Sequence, residues 1–154
     1  FLPGRRFRQV LIGASKRGVK VTLLLQGRVE YLLLHYATRA LYGVFLDAGI
    51  EIYEYHRSFL HAKVAVVDGV WATVGSSNID PFSLLLSREA NVVVSDAEFS
   101  AQLKDSLVRA MDVGSRVVTY DSWKREALYL RLLAWLSYGS VRLLMGVAGY
   151  GRQH

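Results

Sequence analysis

At 154 residues with no cysteine, the chain is long enough for one domain with a substantial core, and it cannot form disulfides or thiolate zinc sites. Its hydrophobic content of 52% excludes an intrinsically disordered protein. The formal net charge of +6 is uneven, with +6 in residues 1–20, −4 in residues 21–115 and +4 in residues 116–154. Basic ends favour an anionic surface, either membrane or nucleic acid, with ordinary solubility charge as the alternative.

Helices and strands alternate in the first part of the chain. A helix is predicted to begin after Pro3 and Gly4 and to end at Gly18, because proline is tolerated in a first turn and glycine is a common C-terminal cap. A largely apolar strand at residues 19–25 then leads into the loop that contains Arg28. Open α/β sheets bind ligands at the carboxyl ends of strands, so Arg28 is a candidate substrate contact, with a solvated loop arginine as the alternative.

Residues 29–48 form a predicted long helix that ends at Gly49, and residues 50–55 form the next strand. Polar and aromatic side chains recur along this helix at spacings of four, four and three residues: Tyr31, His35, Arg39 and Tyr42. Residues at these spacings share one helix face. This stripe can line a substrate groove, and the alternative is a helix flank that amphipathic side chains cover.

A hairpin is predicted around Asp68 and Gly69, a pair that favours a two-residue turn between strands. Because side chains alternate along a strand, His61 and Lys63 in the first strand point to the same side. The second strand returns the chain toward them and brings three further residues: Gly75, Ser76 and Asn78. The hairpin is therefore predicted to bring an imidazole, an ammonium and a carboxamide together around one point. A glycine at the same point allows other groups to approach closely.

These groups suit a phosphodiester better than a peptide or a sugar. Lys63 and Asn78 can donate hydrogen bonds to non-bridging phosphate oxygens while the bond to phosphorus exchanges. An imidazole ordinarily titrates at about pH 6.5, so a neutral His61 can attack phosphorus near neutral pH, and no metal or other cofactor is expected. The alternative is a half-buried strand with two polar residues on its solvent-exposed face.

Further signals follow the hairpin. Asp80 and Pro81 predict a helix cap before a short apolar segment at residues 82–86. Glu89 stands just before a predicted core strand, and residues 95–98 cap the helix after it. The alternation predicts an α/β fold with a mixed, mainly parallel sheet and helices on both faces.

The C-terminal region differs in composition. Residues 128–150 are rich in Leu, Trp, Tyr and Gly, with Arg131 and Arg142 as their only charges. The apolar run between these arginines is ten residues long, whereas a bilayer takes about 20. We therefore expect an apolar helix that lies in a membrane interface, with a helix packed on its own domain or on a missing half as the alternative.

The hairpin resembles the HKD motif of the phospholipase D superfamily. The matching positions are His61, Lys63, Asp68, Gly75, Ser76 and Asn78. The opening of the chain, the flanks of the hairpin and the apolar, basic tail are also similar to the second half of bacterial cardiolipin synthases. We accordingly predict a phospholipase D-like catalytic half at residues 1–115 and a helical tail at residues 116–154.

The resemblance implies a phosphatidyl transfer through a phosphohistidine intermediate. One histidine attacks the phosphatidyl phosphate, and a second phosphatidylglycerol then takes the group, which gives cardiolipin. In this scheme Lys63 and Asn78 stabilise the phosphoryl charge, and Glu89 holds the His61 ring in its reactive tautomer. A rim carboxylate at a strand start is the alternative for Glu89, and His61 can be either nucleophile or acid.

The remaining matching residues have smaller roles in this scheme. Ser76 adds a hydrogen-bond donor, and Asp68 is mainly structural at the turn. Gly75 lets the substrate approach closely, and Arg28 contacts the substrate. The expected partners are phosphatidylglycerol and a membrane surface, which would place the protein peripherally at a bacterial inner membrane. Nucleic acid is not expected.

The enzymes that this chain resembles carry two HKD motifs in one chain, whereas this sequence contains one. We expect either a fragment whose N-terminal HKD half is missing or a homodimer, and the start at Phe1 favours the fragment. An isolated single-motif chain is expected to be inactive unless it is dimeric. The alternative functions are a phospholipase D-type hydrolase, a nucleic-acid phosphodiesterase and an inert membrane-binding lobe.

Overall fold

The computed structural model of the chain describes residues 1–80 and 88–150. In this part of the chain the helices are α1 Arg5–Lys16, α2 Leu32–Arg39, α3 Tyr42–Asp47, α4 Ala97–Gly114, α5 Tyr120–Lys124 and α6 Leu128–Tyr150. The strands are β1 Thr22–Gln26, β2 Glu51–Tyr55, β3 Lys63–Val67, β4 Trp71–Gly75, β5 Asn91–Ser95 and β6 Ser115–Val118. The predicted first-turn proline, Pro81, and the apolar segment at residues 82–86 lie outside the described residues.

The strands form two three-stranded sheets, in the orders β1-β2-β6 and β3-β4-β5. The chain is therefore a mixed α/β protein, as predicted, but its described strands do not form one mainly parallel sheet. In the second sheet both pairs, β3 with β4 and β4 with β5, are antiparallel. The reason is local, because a short turn between β3 and β4 reverses the chain directly, whereas parallel strands need a long crossover.

The first of two compact units comprises residues 1–23, residues 29–52 and the described chain from residue 118 onward. Its most deeply buried large side chains are Leu41, Tyr42, Phe45, Ile50 and Ile52. Within it, α2 packs against α6, and α3 packs against α5. The C-terminal stretch that the sequence set apart as a tail thus belongs to the same unit as the N-terminal helices.

The second unit comprises residues 24–28 and 53–117. Its centre is the antiparallel sheet β3-β4-β5, on which α4 packs. The cap predicted before α4 is confirmed, because the Asp96 side chain accepts a hydrogen bond of 2.7 Å from the Phe99 backbone N–H. All the matching positions of the HKD motif belong to this unit.

The predicted helix at residues 29–48 is two shorter helices, α2 and α3, joined at Ala40 and Leu41. Gly43, in the first turn of α3, is a weak helix former. Its missing side chain also makes room for an indole, since a Cβ at Gly43 would lie 2.7 Å from Cζ2 of Trp123. Packing of Trp123 against this position therefore requires a glycine in the first turn of α3. Across the described residues, no helix combines the length and the apolar character that a membrane span requires.

Candidate active site

The hairpin that carries the candidate site turns at Asp68 and Gly69, as predicted, but the pairing of Val67 with Trp71 leaves three residues in the loop instead of two. Asp68 and Gly69 have φ angles of 52° and 69°, which is the positive-φ pair that a type I′ turn requires. Glycine adopts this conformation without steric cost, and aspartate tolerates it better than most residues. The Asp68 side chain is exposed at this turn, where the structure keeps it apart from the opposite end of the hairpin.

The other end of the hairpin holds the cationic residues. In the β3–β4 register Lys63 is paired with Gly75, while Val67 is paired with Trp71 beside the turn. At about 3.4 Å per residue, five residues of strand separate Lys63 from Asp68 by about 17 Å. The structure therefore brings Lys63 together with Gly75 and leaves Asp68 at the turn, where its contribution is to the backbone.

His61 lies two residues before Lys63, ahead of β3, and its side chain is exposed. The Lys63 Nζ donates a hydrogen bond of 3.3 Å to the His61 backbone carbonyl oxygen. This contact brings the ammonium group next to the backbone that carries the imidazole. The imidazole is exposed, so a phosphate group can reach it from solvent. Its action together with the ammonium group on a phosphodiester stays a prediction.

Gly75 allows two strand ends to approach closely. It is paired with Asn91 in the β4–β5 register. A Cβ at Gly75 would lie 2.5 Å from the Ala90 carbonyl oxygen and would also meet the Asn91 side chain. No larger residue fits there unless the strands move apart. Gly75 is thus required by the strand pairing, and a role in substrate approach stays a prediction.

Ser76 and Glu89 meet just beyond this close approach. The Ser76 hydroxyl donates to Oε2 of Glu89 and accepts a hydrogen bond of 3.1 Å from the Ala90 backbone N–H. The Ser76 backbone N–H donates to the Ala90 carbonyl oxygen at 3.0 Å. Within residues 1–80 and 88–150, no hydrogen bond joins Glu89 to the His61 ring. The partner of Glu89 in the structure is therefore Ser76, and a direct role in orienting His61 stays a prediction.

Asn91 is a site residue that the sequence analysis missed. Its Nδ2 donates a hydrogen bond of 2.7 Å to Ser77 Oγ, and its Oδ1 accepts one of 3.4 Å from the Ser77 backbone N–H. Asn91 thereby holds the chain immediately before Asn78, whose side chain is exposed. The sequence carries a signal for this residue, because Asn91 is a polar amide two residues after Glu89, at the start of an otherwise apolar strand. A buried strand does not need a polar side chain at this position.

Arg28 lies in the same unit, on the loop after β1. Its Nε donates a hydrogen bond of 2.9 Å to the His56 carbonyl oxygen, and its guanidinium lies 5.7 Å from the centroid of the Phe59 ring. The preceding Gln26 accepts a hydrogen bond of 2.8 Å from the Leu60 backbone N–H through Oε1. The end of β1 and the loop after it therefore hold the segment that leads into His61. The sequence did not predict this role for Gln26.

Within residues 1–80 and 88–150, no group of three or more His, Cys, Asp or Glu side chains is arranged to hold a metal ion. The hairpin and the end of the neighbouring strand carry a lysine, a histidine, serines and amides, and side chains of these kinds can bind phosphate oxygens by hydrogen bonds and charge.

Comparison with solved structures identifies the class of protein. The chain is similar to Nuc, a phospholipase D family member from Salmonella typhimurium, with a TM-score of 0.64 and 19% sequence identity. The similarity covers 77% of this chain and 76% of that chain. The chain therefore has a phospholipase D-like fold, as the sequence predicted.

Sequence comparisons give the family. A family model described as "Cardiolipin synthase, PLD-like domain" matches residues 1–111. Cardiolipin synthase B of Escherichia coli (strain K12) is 45% identical over 107 residues, which are 70% of this chain and 26% of that protein. The minor cardiolipin synthase of Bacillus subtilis (strain 168) is 29% identical over 136 residues, which are 88% and 34% of the two chains. The chain belongs to the cardiolipin synthase family of phospholipase D-like domains, and its match spans about a quarter of the first relative.

Proposed function

We propose that the chain supplies one half-site of a phosphatidyltransferase that makes cardiolipin from phosphatidylglycerol. The observation that carries this proposal is the β3–β4 register, which sets Lys63 opposite Gly75 with His61 two residues before it. The family and the names of the relatives support the choice of lipid over other phosphodiesters. The donors at this end of the hairpin match the charge that develops on a transferring phosphoryl group.

The proposed reaction has two displacements at phosphorus. A neutral imidazole nitrogen attacks the phosphatidyl phosphate, the bond to the glycerol oxygen breaks, and the leaving glycerol takes a proton from a second histidine. The hydroxyl of another phosphatidylglycerol then attacks phosphorus, returns a proton to that histidine and displaces the first imidazole. Water in place of this hydroxyl gives hydrolysis. His61 serves as one of these two histidines.

The other residues of the hairpin act on the phosphoryl oxygens and on the backbone. Lys63 and Asn78 stabilise the negative charge during each displacement, and Arg28 contacts the lipid headgroup. Ser76 and Glu89 act as a hydrogen-bonded pair that sets the position of the turn before Asn78. Asp68 contributes through the hairpin turn.

A second HKD motif is needed for this reaction, because each displacement uses two histidines. We propose that it comes from another half of a longer enzyme or from a second copy of the chain. The match with only 26% of the E. coli relative supports the first arrangement as the expected one. Either arrangement places His61 opposite a histidine of the other half.

The outer face of α6 supports peripheral binding to a membrane. Its exposed side chains include Leu128, Tyr129, Leu132, Trp135, Leu136, Leu143 and Leu144. Aromatic and aliphatic side chains with flanking arginines suit the interface between lipid headgroups and acyl chains. We propose that this face binds the anionic bacterial membrane in which the substrate resides.

The test is headgroup exchange on phosphatidylglycerol vesicles by the chain mixed with a half that carries the second motif. His61→Ala and Lys63→Ala are each expected to lower the rate by about 10² or more. Lys20→Ala is the matched control, because Lys20 is exposed and pairs with Glu51 at 3.1 Å. Full activity of His61→Ala would contradict the proposal, and loss of activity on adding a chelator would contradict a metal-free mechanism.

The same assay separates the alternatives. Phosphatidic acid as the sole product would indicate a hydrolase. Cleavage of nucleic acid with a steep dependence on salt, but no lipid exchange, would indicate a nucleic-acid phosphodiesterase. Vesicle binding without any turnover in the mixture would indicate an inert membrane-binding lobe.

A further inference from the structure

A cavity of about 150 Å³ lies in the first unit, among α2, α5 and α6. Its lining includes His35 and Arg39, two members of the polar stripe on the predicted long helix, together with Trp123, Glu126, Arg131 and Trp135. The proposed reaction uses none of these residues. Two of the four stripe residues therefore line a cavity. All of its walls belong to the first unit, whereas the HKD residues belong to the second.

Arg131 is the cation that defines this cavity. Its guanidinium carbon lies 4.3 Å from the centroid of the Trp123 ring, a stacking distance for cation–π contact. The indole is itself held in place over Gly43. No carboxylate within residues 1–80 and 88–150 pairs with Arg131. A half-buried guanidinium stacked on a ring, with its donors unpaired by acid, is suited to bind an anion.

In the same cavity Arg39 differs from Arg131, because Arg39 is paired with a carboxylate, that of Glu126. Arg39 Nη2 pairs with Glu126 Oε1, and the guanidinium also lies 5.4 Å from the centroid of the Tyr42 ring. The side chains of Arg39 and Glu126 are 18% and 25% exposed. Two arginines and one glutamate give the lining a formal net charge of +1 when His35 is not counted. Glu126 neutralises Arg39 and leaves the charge of Arg131 uncompensated.

We propose that this cavity binds the phosphate group of an anionic phospholipid headgroup, with Arg131 as the main ligand. At roughly 30 Å³ per water molecule, the volume is that of about five waters, which fits a headgroup phosphate but not a whole lipid. Exposed Leu128 and Leu132, beside Arg131 on α6, provide an apolar lip for acyl chains. The cavity supports an anion site by itself, and the choice of phospholipid rests on the proposed function.

The test is equilibrium binding to the full chain, followed by the fluorescence of Trp123 and Trp135, in a Trp71→Phe background. The probes are monomeric dihexanoyl phosphatidylglycerol, dihexanoyl phosphatidylcholine and inorganic phosphate. We expect saturable changes with phosphatidylglycerol, weaker ones with phosphate and the weakest with phosphatidylcholine. Equal affinity for phosphate and phosphatidylglycerol would support the anion site and overturn its assignment to a lipid. No saturable change with any probe would overturn the site itself.

Two charge variants change the affinity in opposite directions. Arg131→Gln removes the unpaired charge and is expected to weaken phosphatidylglycerol binding about tenfold. Glu126→Gln removes the negative charge from the lining and is expected to strengthen phosphatidylglycerol binding several-fold. Arg109→Gln, at an exposed position on α4, and Asp121→Asn, on α5, are the matched controls and should change affinity less than twofold. Equal effects of a variant and its control would overturn the proposal.

These measurements are independent of catalysis. Binding is recorded without the second HKD half, so a failure of lipid exchange leaves its outcome unaffected. Circular dichroism of each variant verifies folding, and the wild-type titration decides the existence of the site even if a variant does not fold. Lipid exchange without binding at Arg131 would remove the cavity from the proposal while the transfer reaction stands.

Discussion

Gly75 shows how one missing side chain permits the geometry of the site. The chain needs no unusual backbone angle there, and the restriction is steric, because the Ala90 carbonyl and the Asn91 side chain occupy the space of a Cβ. This close approach lets Ser76 and Ser77 bond to residues 89–91. A glycine at the end of β4 thus positions the groups that follow it.

Gly75→Ala is expected to lower the free energy of unfolding by about 1–3 kcal/mol, the usual cost of overpacking. The measurement is urea denaturation followed by circular dichroism. Gly139→Ala is the matched control, since a Cβ at this position on α6 meets nothing within 4 Å. The control is expected to raise stability by up to about 1 kcal/mol through helix propensity. An unchanged or raised stability of Gly75→Ala would contradict the steric explanation.

Ser76 and Glu89 are expected to act as one unit. Ser76→Ala and Glu89→Gln should each lower the exchange rate about tenfold, and the double variant should lose little more than either, because both break the same hydrogen bond. The measurement is a double-mutant cycle on the reconstituted exchange reaction. Asp96→Asn is the control partner, because Asp96 caps α4 through Phe99. Additive effects of Ser76→Ala and Glu89→Gln would show that the two residues act separately.

At the scale of elements, α6 has two different faces. One packs on α2 and contains the buried Ala134, Ser137 and Val141. The other exposes a row of leucines and aromatic rings. An exposed apolar face of this extent is typical of an interaction surface rather than of a freely solvated helix.

A variant with both Leu136→Ser and Leu143→Ser is expected to bind vesicles of phosphatidylglycerol and phosphatidylcholine about tenfold more weakly. The two leucines are 61% and 69% exposed and seven residues apart, so they lie on the same helix face, and their insertion removes apolar surface from water. Co-sedimentation with vesicles measures the effect. A variant with Val10→Ser and Val113→Ser, at residues 65% and 66% exposed on other helices, is the control. Equal losses in the two variants would exclude α6 as the membrane-binding face.

At the scale of the whole molecule, the catalytic groups of one chain are half of what the proposed chemistry needs. The chain contains one HKD motif. The two displacements of the proposed reaction use a histidine on each side of the phosphate, so the proposed site needs another motif to be complete.

The chain alone is therefore expected to exchange headgroups at less than about 1% of the rate reached with a half that carries the second motif. The measurement is a titration of a fixed amount of chain with that half, with size determined in parallel by light scattering. A second half whose own HKD histidine is replaced by alanine serves as the control and should not restore exchange. Full activity of a dimer of this chain alone would assign the second motif to another copy.

Sequence alone determined the features that depend on neighbouring residues. The hairpin turn at Asp68 and Gly69 and the cap at Asp96 follow from local sterics and local hydrogen bonds, which are the same in any fold. The family resemblance was also legible in the spacing of the motif, and the comparisons confirm it. By contrast, periodicity at residues 29–48 revealed neither the break between α2 and α3 nor the packing of Trp123, far along the chain, against Gly43.

Only the tertiary structure decided which strands share a sheet and which distant side chains meet. The antiparallel β3-β4-β5 sheet, the bond from Ser76 to Glu89 and the stacking of Arg131 on Trp123 all depend on packing between separate segments. A pattern in one segment specifies which face is apolar, but it does not specify the partner that covers that face. The free energy of burial is non-directional, so the partner is set by the fit of the whole unit.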